Sequence, residues 1–150
     1  MLFRSAVGGT IEGDLYEMPS TMAELVLREA GFQATFLGPS LPIASLARAV
    51  RETRPRLFWL SVSHIPDGFD LPAGFRVVAD ACNDIGAALV VGGRALTSEL
   101  RQQMTYSAFC DTMQHLESFA RTLKRSASPS HSGPSNSSPA HSGQDSASVS

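Results

Sequence analysis

The chain has 150 residues, a net charge of −2 and two cysteines, Cys82 and Cys110. That balance excludes a broad electrostatic footprint for nucleic acid, and two cysteines without C-x-x-C spacing supply neither a disulfide framework nor a zinc site. No apolar run is long enough to span a membrane and the N-terminus lacks the apolar core of a signal peptide, so a reducing cytoplasm is the expected setting.

The elements follow in chain order. Arg4 to Ile11 reads as a short strand, weakened by Gly8 and Gly9. Glu12 to Pro19 follows it as a loop at the C-terminal end of a strand, where open α/β sheets place ligands. A helix is expected from Ser20 to Ala30, with Thr21 and Glu24 as a capping box and Gly31 as the stop. Phe32 to Leu37 is a second strand. Pro42 opens a helix through Arg51, with Ile43, Leu46, Ala47 and Val50 on one face. Leu57 to Val62 is nearly continuous in apolar residues, as suits a strand buried on both faces of a parallel sheet. A loop from His64 to Leu71 leads to a helix over Pro72 to Ile85, ended by Gly86. Ala87 to Val91 is the fourth strand and Gly92–Gly93 ends it. Thr97 to Gln103 is a short helix, and Tyr106 to Phe109 a weak fifth strand. Asp111 with Gln114 is expected to cap a last helix ending near Arg125.

From Ser126 to Ser150 almost every residue is small or polar, and Val149 is the only larger apolar one. Such a segment buries too little apolar surface to offset its ordering entropy. The expected organisation is one domain over residues 1–125 and a disordered Ser/Pro-rich tail over 126–150.

Five strands alternating with helices predict an α/β, doubly wound, flavodoxin-like (Rossmann-like) fold, with a five-stranded parallel sheet in the order 2-1-3-4-5. Three loops then meet at the ligand edge: Gly13 to Pro19, Ser61 to Leu71 and Gly92 to Leu96.

The residues there allow several chemistries. Glu12, Asp14 and Glu17 could hold a divalent cation through oxygens, although a solvated loop explains them more simply. Ser61, Ser63 and His64 do not make a hydrolase, since adjacent residues rarely form a triad and no G-x-S-x-G is present. Gly8–Gly9 lacks the rest of a dinucleotide fingerprint. His64 lies at the ligand edge but reads first as a solvent-facing loop residue. His115 reads as a surface residue, and His131 and His141 fall in the tail. Asp67 and Asp70 read as turn residues and Trp59 as core. Gly92–Gly93 suits close backbone approach to a flat group and equally suits a plain turn.

Leu25-Val26-Leu27-Arg28-Glu29-Ala30-Gly31-Phe32, followed by Phe36-Leu37-Gly38-Pro39-Ser40-Leu41-Pro42, resembles the first helix, second strand and following turn of cobalamin (vitamin B12)-binding domains. The likeness is to the C-terminal domains of light- or corrinoid-responsive MerR-type transcriptional regulators, and it covers Arg4 to Arg125. A strand ending near Ser61 and the Gly92–Gly93 pair fall at matching places.

The resemblance implies a cobalamin cofactor, a corrinoid-sensing role without catalysis, and a homo-oligomer or a regulator partner. It implies neither membrane contact nor direct nucleic-acid binding by this chain. It also assigns roles to Asp14, Tyr16, Ser61, Ser63, His64, Gly92 and Gly93. Many family members carry Asp-x-His-x-x-Gly after the first strand, where the histidine binds cobalt from below. Here Asp14 is kept, Tyr16 replaces the histidine and Pro19 replaces the glycine. A phenol must lose its proton to ligate and prefers harder metals, so any corrinoid is expected to bind without this lower ligand. The family's Ser-x-Leu after the third strand is represented by Ser61 alone, since Ser63 stands at the leucine. In the family that serine accommodates the dimethylbenzimidazole tail. Regulators of this class place a DNA-binding helix-turn-helix and a helical bundle ahead of the cobalamin domain, whereas this chain opens almost at its first strand. Lower corrinoid affinity is therefore expected. The alternative is a degenerate domain that has lost the cofactor and serves protein interaction or dimerisation.

Overall fold

Leu57, Phe58, Trp59 and Leu60 are all buried, so the strand they form is covered on both faces. The computed structural model, which describes residues 4–127, places that strand at the centre of one five-stranded sheet. The order along the chain is β1 (Ser5–Thr10), α1 (Met18–Glu29), β2 (Gln33–Phe36), α2 (Ile43–Thr53), β3 (Leu57–Ser61), α3 (Leu71–Ile85), β4 (Ala88–Gly92), α4 (Ser98–Gln102), β5 (Ala108–Phe109) and α5 (Met113–Ala127). The sheet order is β2-β1-β3-β4-β5 and the pairings are parallel, as expected for this fold class. The expected tail lies outside the described residues except for Ser126 and Ala127, which α5 includes.

Successive strand residues point to opposite faces and so divide between two cores. Val7, Phe58, Leu60, Leu89 and Val91 face α2 and α3, where Leu46, Val50, Phe75 and Val78 meet them. Ala6, Leu57, Trp59 and Val90 face α1 and α5, against Ala23, Leu27, Leu116 and Ala120. The Trp59 ring lies against Gly8, where any Cβ would collide with it. The glycine that weakens β1 on propensity is therefore required by packing.

Two expected caps are replaced. The first helix begins at Met18, not Ser20, because Pro19 is tolerated in a first turn. Glu24 does not cap; its carboxylate accepts the Phe36 N–H at 3.0 Å and an Arg28 bond at 3.2 Å, tying α1 to β2. At α5 the Thr112 hydroxyl accepts the His115 N–H at 3.1 Å in place of an Asp111–Gln114 cap. Elsewhere the local signals hold. Asp70 caps α3 through the Ala73 N–H, Thr97 caps α4 through the Leu100 N–H, and Gly86 ends α3 at φ 73°. Among the described residues no helix is long and apolar enough to cross a membrane.

Candidate functional site

β1 and β3 lie side by side while their crossovers leave in opposite directions, which opens a crevice at their C-terminal ends. Asp14 organises the loops there. It is fully buried, and its carboxylate accepts N–H bonds from Ser63 at 2.7 Å, Tyr16 at 3.2 Å and His64 at 3.3 Å. Three backbone donors stabilise a charge that burial alone would make costly. Thr10, also buried, donates its hydroxyl to the Asp14 carbonyl at 2.7 Å and accepts the Ser40 N–H at 2.7 Å. Ser40 in turn accepts the Gly13 N–H at 2.9 Å. The loops after β1, β2 and β3 are thereby held as one unit. Glu12 and Glu17 are exposed. Because Asp14 is already engaged by backbone, the acidic trio does not converge on an ion, and among the described residues no group of three His, Cys, Asp or Glu could hold a metal.

Beside this unit lies a cavity of about 540 Å³, within the range of small-molecule sites. Trp59 and Ser61 of β3 and Val90 and Gly92 of β4 form its floor, Pro19 and Ala23 of α1 one wall, and the segment from Phe109 to Met113 the other. Tyr16, Ser63 and Arg94 also line it, and Tyr16 and Arg94 are exposed at its mouth. The Arg94 guanidinium carbon sits 5.7 Å from the Tyr16 ring centroid, a cation–π distance.

The two glycines are there for close approach. A Cβ on Gly92 would come 2.8 Å from the Cys110 carbonyl oxygen, and one on Gly93 would collide with the Val62 backbone. Gly93 also has φ 116°, where L side chains are strained. Two buried polar atoms in the cavity's lining residues have no hydrogen-bond partner, the Ser61 hydroxyl and the Trp59 indole nitrogen. Native proteins leave few such groups unpaired. Burial pushes the Cys110 thiol up to about 11, with the Asp111 charge adding to the effect.

Of the residues expected at the site, Tyr16, Ser61, Ser63, Gly92 and Gly93 line the cavity together. Asp14 holds the loop from behind. His64 contributes its backbone N–H to Asp14, and its ring is not part of the cavity lining. His115 is exposed and contacts Asp111 at 2.6 Å. Pro19, expected in the first loop at the ligand edge, lines the cavity too, whereas sequence reasoning did not single out Arg94 and missed Trp59 as a lining residue, Ala23 and the Phe109–Met113 segment. The usable signal was Arg94 directly after the Gly92–Gly93 pair.

The cavity fits the bicyclic tail of a corrinoid better than it fits the corrin itself. An apolar slot with an unpaired hydroxyl suits a flat nitrogen heterocycle. The macrocycle would have to lie across the mouth, and the side chain waiting there is a phenol, a poor cobalt ligand.

No family model and no curated protein matches the chain. Solved structures do. A cobalamin-binding protein from Desulfitobacterium hafniense DCB-2 is 20% identical with a TM-score of 0.61, over 83% of this chain and 58% of that one. The monomethylamine corrinoid protein of Methanosarcina barkeri is 13% identical with a TM-score of 0.66, over 79% and 57%. The methanol:cobalamin methyltransferase complex MtaBC of Methanosarcina barkeri gives 18% and 0.64, over 85% and 52%. The chain thus spans little more than half the length of these proteins. Receiver domains of response regulators share the architecture as well. What these likenesses establish is the fold: the chain has the five-stranded parallel architecture that cobalamin-binding proteins use.

Proposed function

We propose that this chain is a cytoplasmic corrinoid-binding module with a sensor or regulatory role, related to the MerR-type regulators, and that it is not itself an enzyme. The Ser61 hydroxyl carries the reading. It is buried and unpartnered in a largely apolar cavity at the switch point of the sheet, and the ring nitrogen of a benzimidazole tail would satisfy it. The solved cobalamin-binding proteins of the same fold support that ligand class, and the Leu25–Phe32 and Phe36–Pro42 segments support the regulator relationship. Tyr16 would lie beneath the macrocycle without ligating it. A bound corrinoid supplies a cobalt centre with an exchangeable upper ligand, which is what a sensor reads.

The test is co-elution in the dark. The full chain is mixed with hydroxo-, methyl- or adenosylcobalamin and desalted, and the visible spectrum of the protein peak is recorded. Retained corrinoid is expected, without the spectral signature of a histidine lower ligand. Ser61→Leu, which fills the slot, should abolish retention while the protein stays folded by circular dichroism. A colourless peak with all three cobalamins would sink the reading.

A second reading has its own observation. Leu15, Met18, Met22 and Leu25 are 72%, 61%, 45% and 55% exposed, along the first loop and one face of α1. A contiguous apolar stripe of this kind marks interaction surfaces. If the cavity binds no corrinoid, a degenerate interaction or dimerisation module is favoured, and sedimentation should then show concentration-dependent association that Met22→Glu disrupts.

A further inference from the structure

We infer that Arg94 selects a ligand bearing a phosphate, by presenting its guanidinium at the mouth of the cavity while the ligand's ring occupies the slot below. The inference rests on the corrinoid reading only for the ring in the slot; the charged group is an additional requirement.

Arg94 is placed by rigid backbone on both sides. Gly93 before it cannot carry a side chain without striking Val62, and Leu96 after it is 4% exposed. The turn is pinned by Ala95 N–H to the Val62 carbonyl at 3.1 Å and by Leu96 N–H to the Gly93 carbonyl at 3.2 Å. The side chain therefore leaves from a fixed point and lies over the Tyr16 ring at 5.7 Å. A ring face orients a guanidinium without neutralising it, which leaves its donors available.

The charges around the cavity favour the same conclusion. Arg94 and Asp111 are the charged residues among those that line it. Asp111 is already engaged by His115 at 2.6 Å, while Arg94 forms no ion pair among the described residues. The Arg94 guanidinium is thus available to an anionic ligand, and a planar fork of donors matches the oxygens of a phosphate. Beneath it lie Trp59, Val90 and Phe109, apolar surfaces suited to a flat ring, beside the unpaired Ser61 hydroxyl. Together they describe a planar nitrogen heterocycle linked to a phosphate. The source could be the nucleotide tail of an intact corrinoid or a free heterocyclic nucleotide.

The experiment separates these. The full chain and Arg94→Gln are titrated calorimetrically with α-ribazole phosphate, a benzimidazole ribonucleotide, with the uncharged nucleoside α-ribazole, and with hydroxocobalamin. The wild type should prefer the phosphate form by about tenfold, the scale of one charge-assisted contact at a partly open site. Arg94→Gln should bring the ratio near one, and Arg94→Lys should restore part of it, since a lysine keeps the charge and loses the fork. Equal affinity of the wild type for the two fragments, or binding of neither, would overturn the inference, as would a ratio unchanged in Arg94→Gln. If hydroxocobalamin binds both proteins equally, the corrinoid reading stands and the role of Arg94 falls. If the phosphate preference appears without cobalamin binding, the role of Arg94 stands, the corrinoid reading falls, and a free nucleotide is the ligand.

Discussion

The two faces of the sheet treat the C-terminal ends of the central strands differently. On the side of α2 and α3, the last inward residues are Leu60 and Val91, followed by Val62, and all three are buried in a filled core. On the side of α1 and α5, the corresponding residues of β3 and β4 are Ser61 and Gly92, and both line the cavity. A second hollow of about 500 Å³ does lie on the α3 side, but it sits between α3 and residues 103–107, away from the loop cluster. One strand therefore does two jobs at once. The even-numbered residues of β3 close one core, while of the odd-numbered ones Leu57 packs in the other core and Trp59 and Ser61 line the slot. Because β3 is read as a single apolar run, that division is visible only once the neighbouring helices are in place.

The comparison can be broken most severely on the filled face. Phe58→Ala removes a fully buried ring and should cost about 3–5 kcal/mol in urea unfolding. Ser61→Ala, three positions along on the hollow face, should change stability by less than about 1 kcal/mol, because the hydroxyl it removes has no partner. Similar losses for the two would mean that the faces are not distinct.

A smaller effect is expected at the hinge between the faces. Asp14→Asn keeps the shape but loses the charge that three N–H groups converge on, and should cost about 1–3 kcal/mol. Amide exchange at Ser63 should accelerate along with it. An unchanged Ser63 exchange rate would show that the loop unit does not depend on the carboxylate.

The smallest effect is a pH dependence with one thiol behind each face. Burial raises Cys82, on the buried side of α3, to about 12 and Cys110, in the cavity lining, to about 11, from an ordinary 9.0. The folded protein then holds thiol protons that the unfolded chain releases. Stability is complete below 9.0 and falls as pH rises through the folded values. Denaturation midpoints on either side of 9.0 should show this fall, and Cys82→Ala should reduce it more than Cys110→Ala.

Much of the fold was legible because buried parallel strands announce themselves as short apolar runs, and Gly31, Gly38 and Gly86 punctuate them with backbone conformations glycine favours. The misread helix starts share a cause. Thr21 with Glu24, and Asp111 with Gln114, have the spacing of local caps, but Glu24 is recruited by β2 and Asp111 by His115. Spacing cannot reveal a tertiary competitor. In the site, strand order brought the loops after β1, β3 and β4 to one edge, and the resemblance to cobalamin-binding domains picked out Asp14, Tyr16, Ser61, Ser63 and Gly92–Gly93 within them. Trp59 and the Phe109–Met113 segment were not, because their place at the cavity depends on how closely α1 and α5 approach the sheet. His64, by contrast, is exposed, as its place in the loop suggested.

The attachment of the first loop has a consequence for how such a site can change. The Asp14 carboxylate is fastened entirely to backbone N–H groups, while the side chain at position 16 stands outside that fastening at the cavity mouth. The mount and the tool it presents are separate residues. Replacing the tool leaves the mount intact, so a lineage can pass from imidazole to phenol and back by single substitutions, each yielding a folded protein. Position 16 is then the place where new chemistry can be installed on this chain with the least disturbance elsewhere.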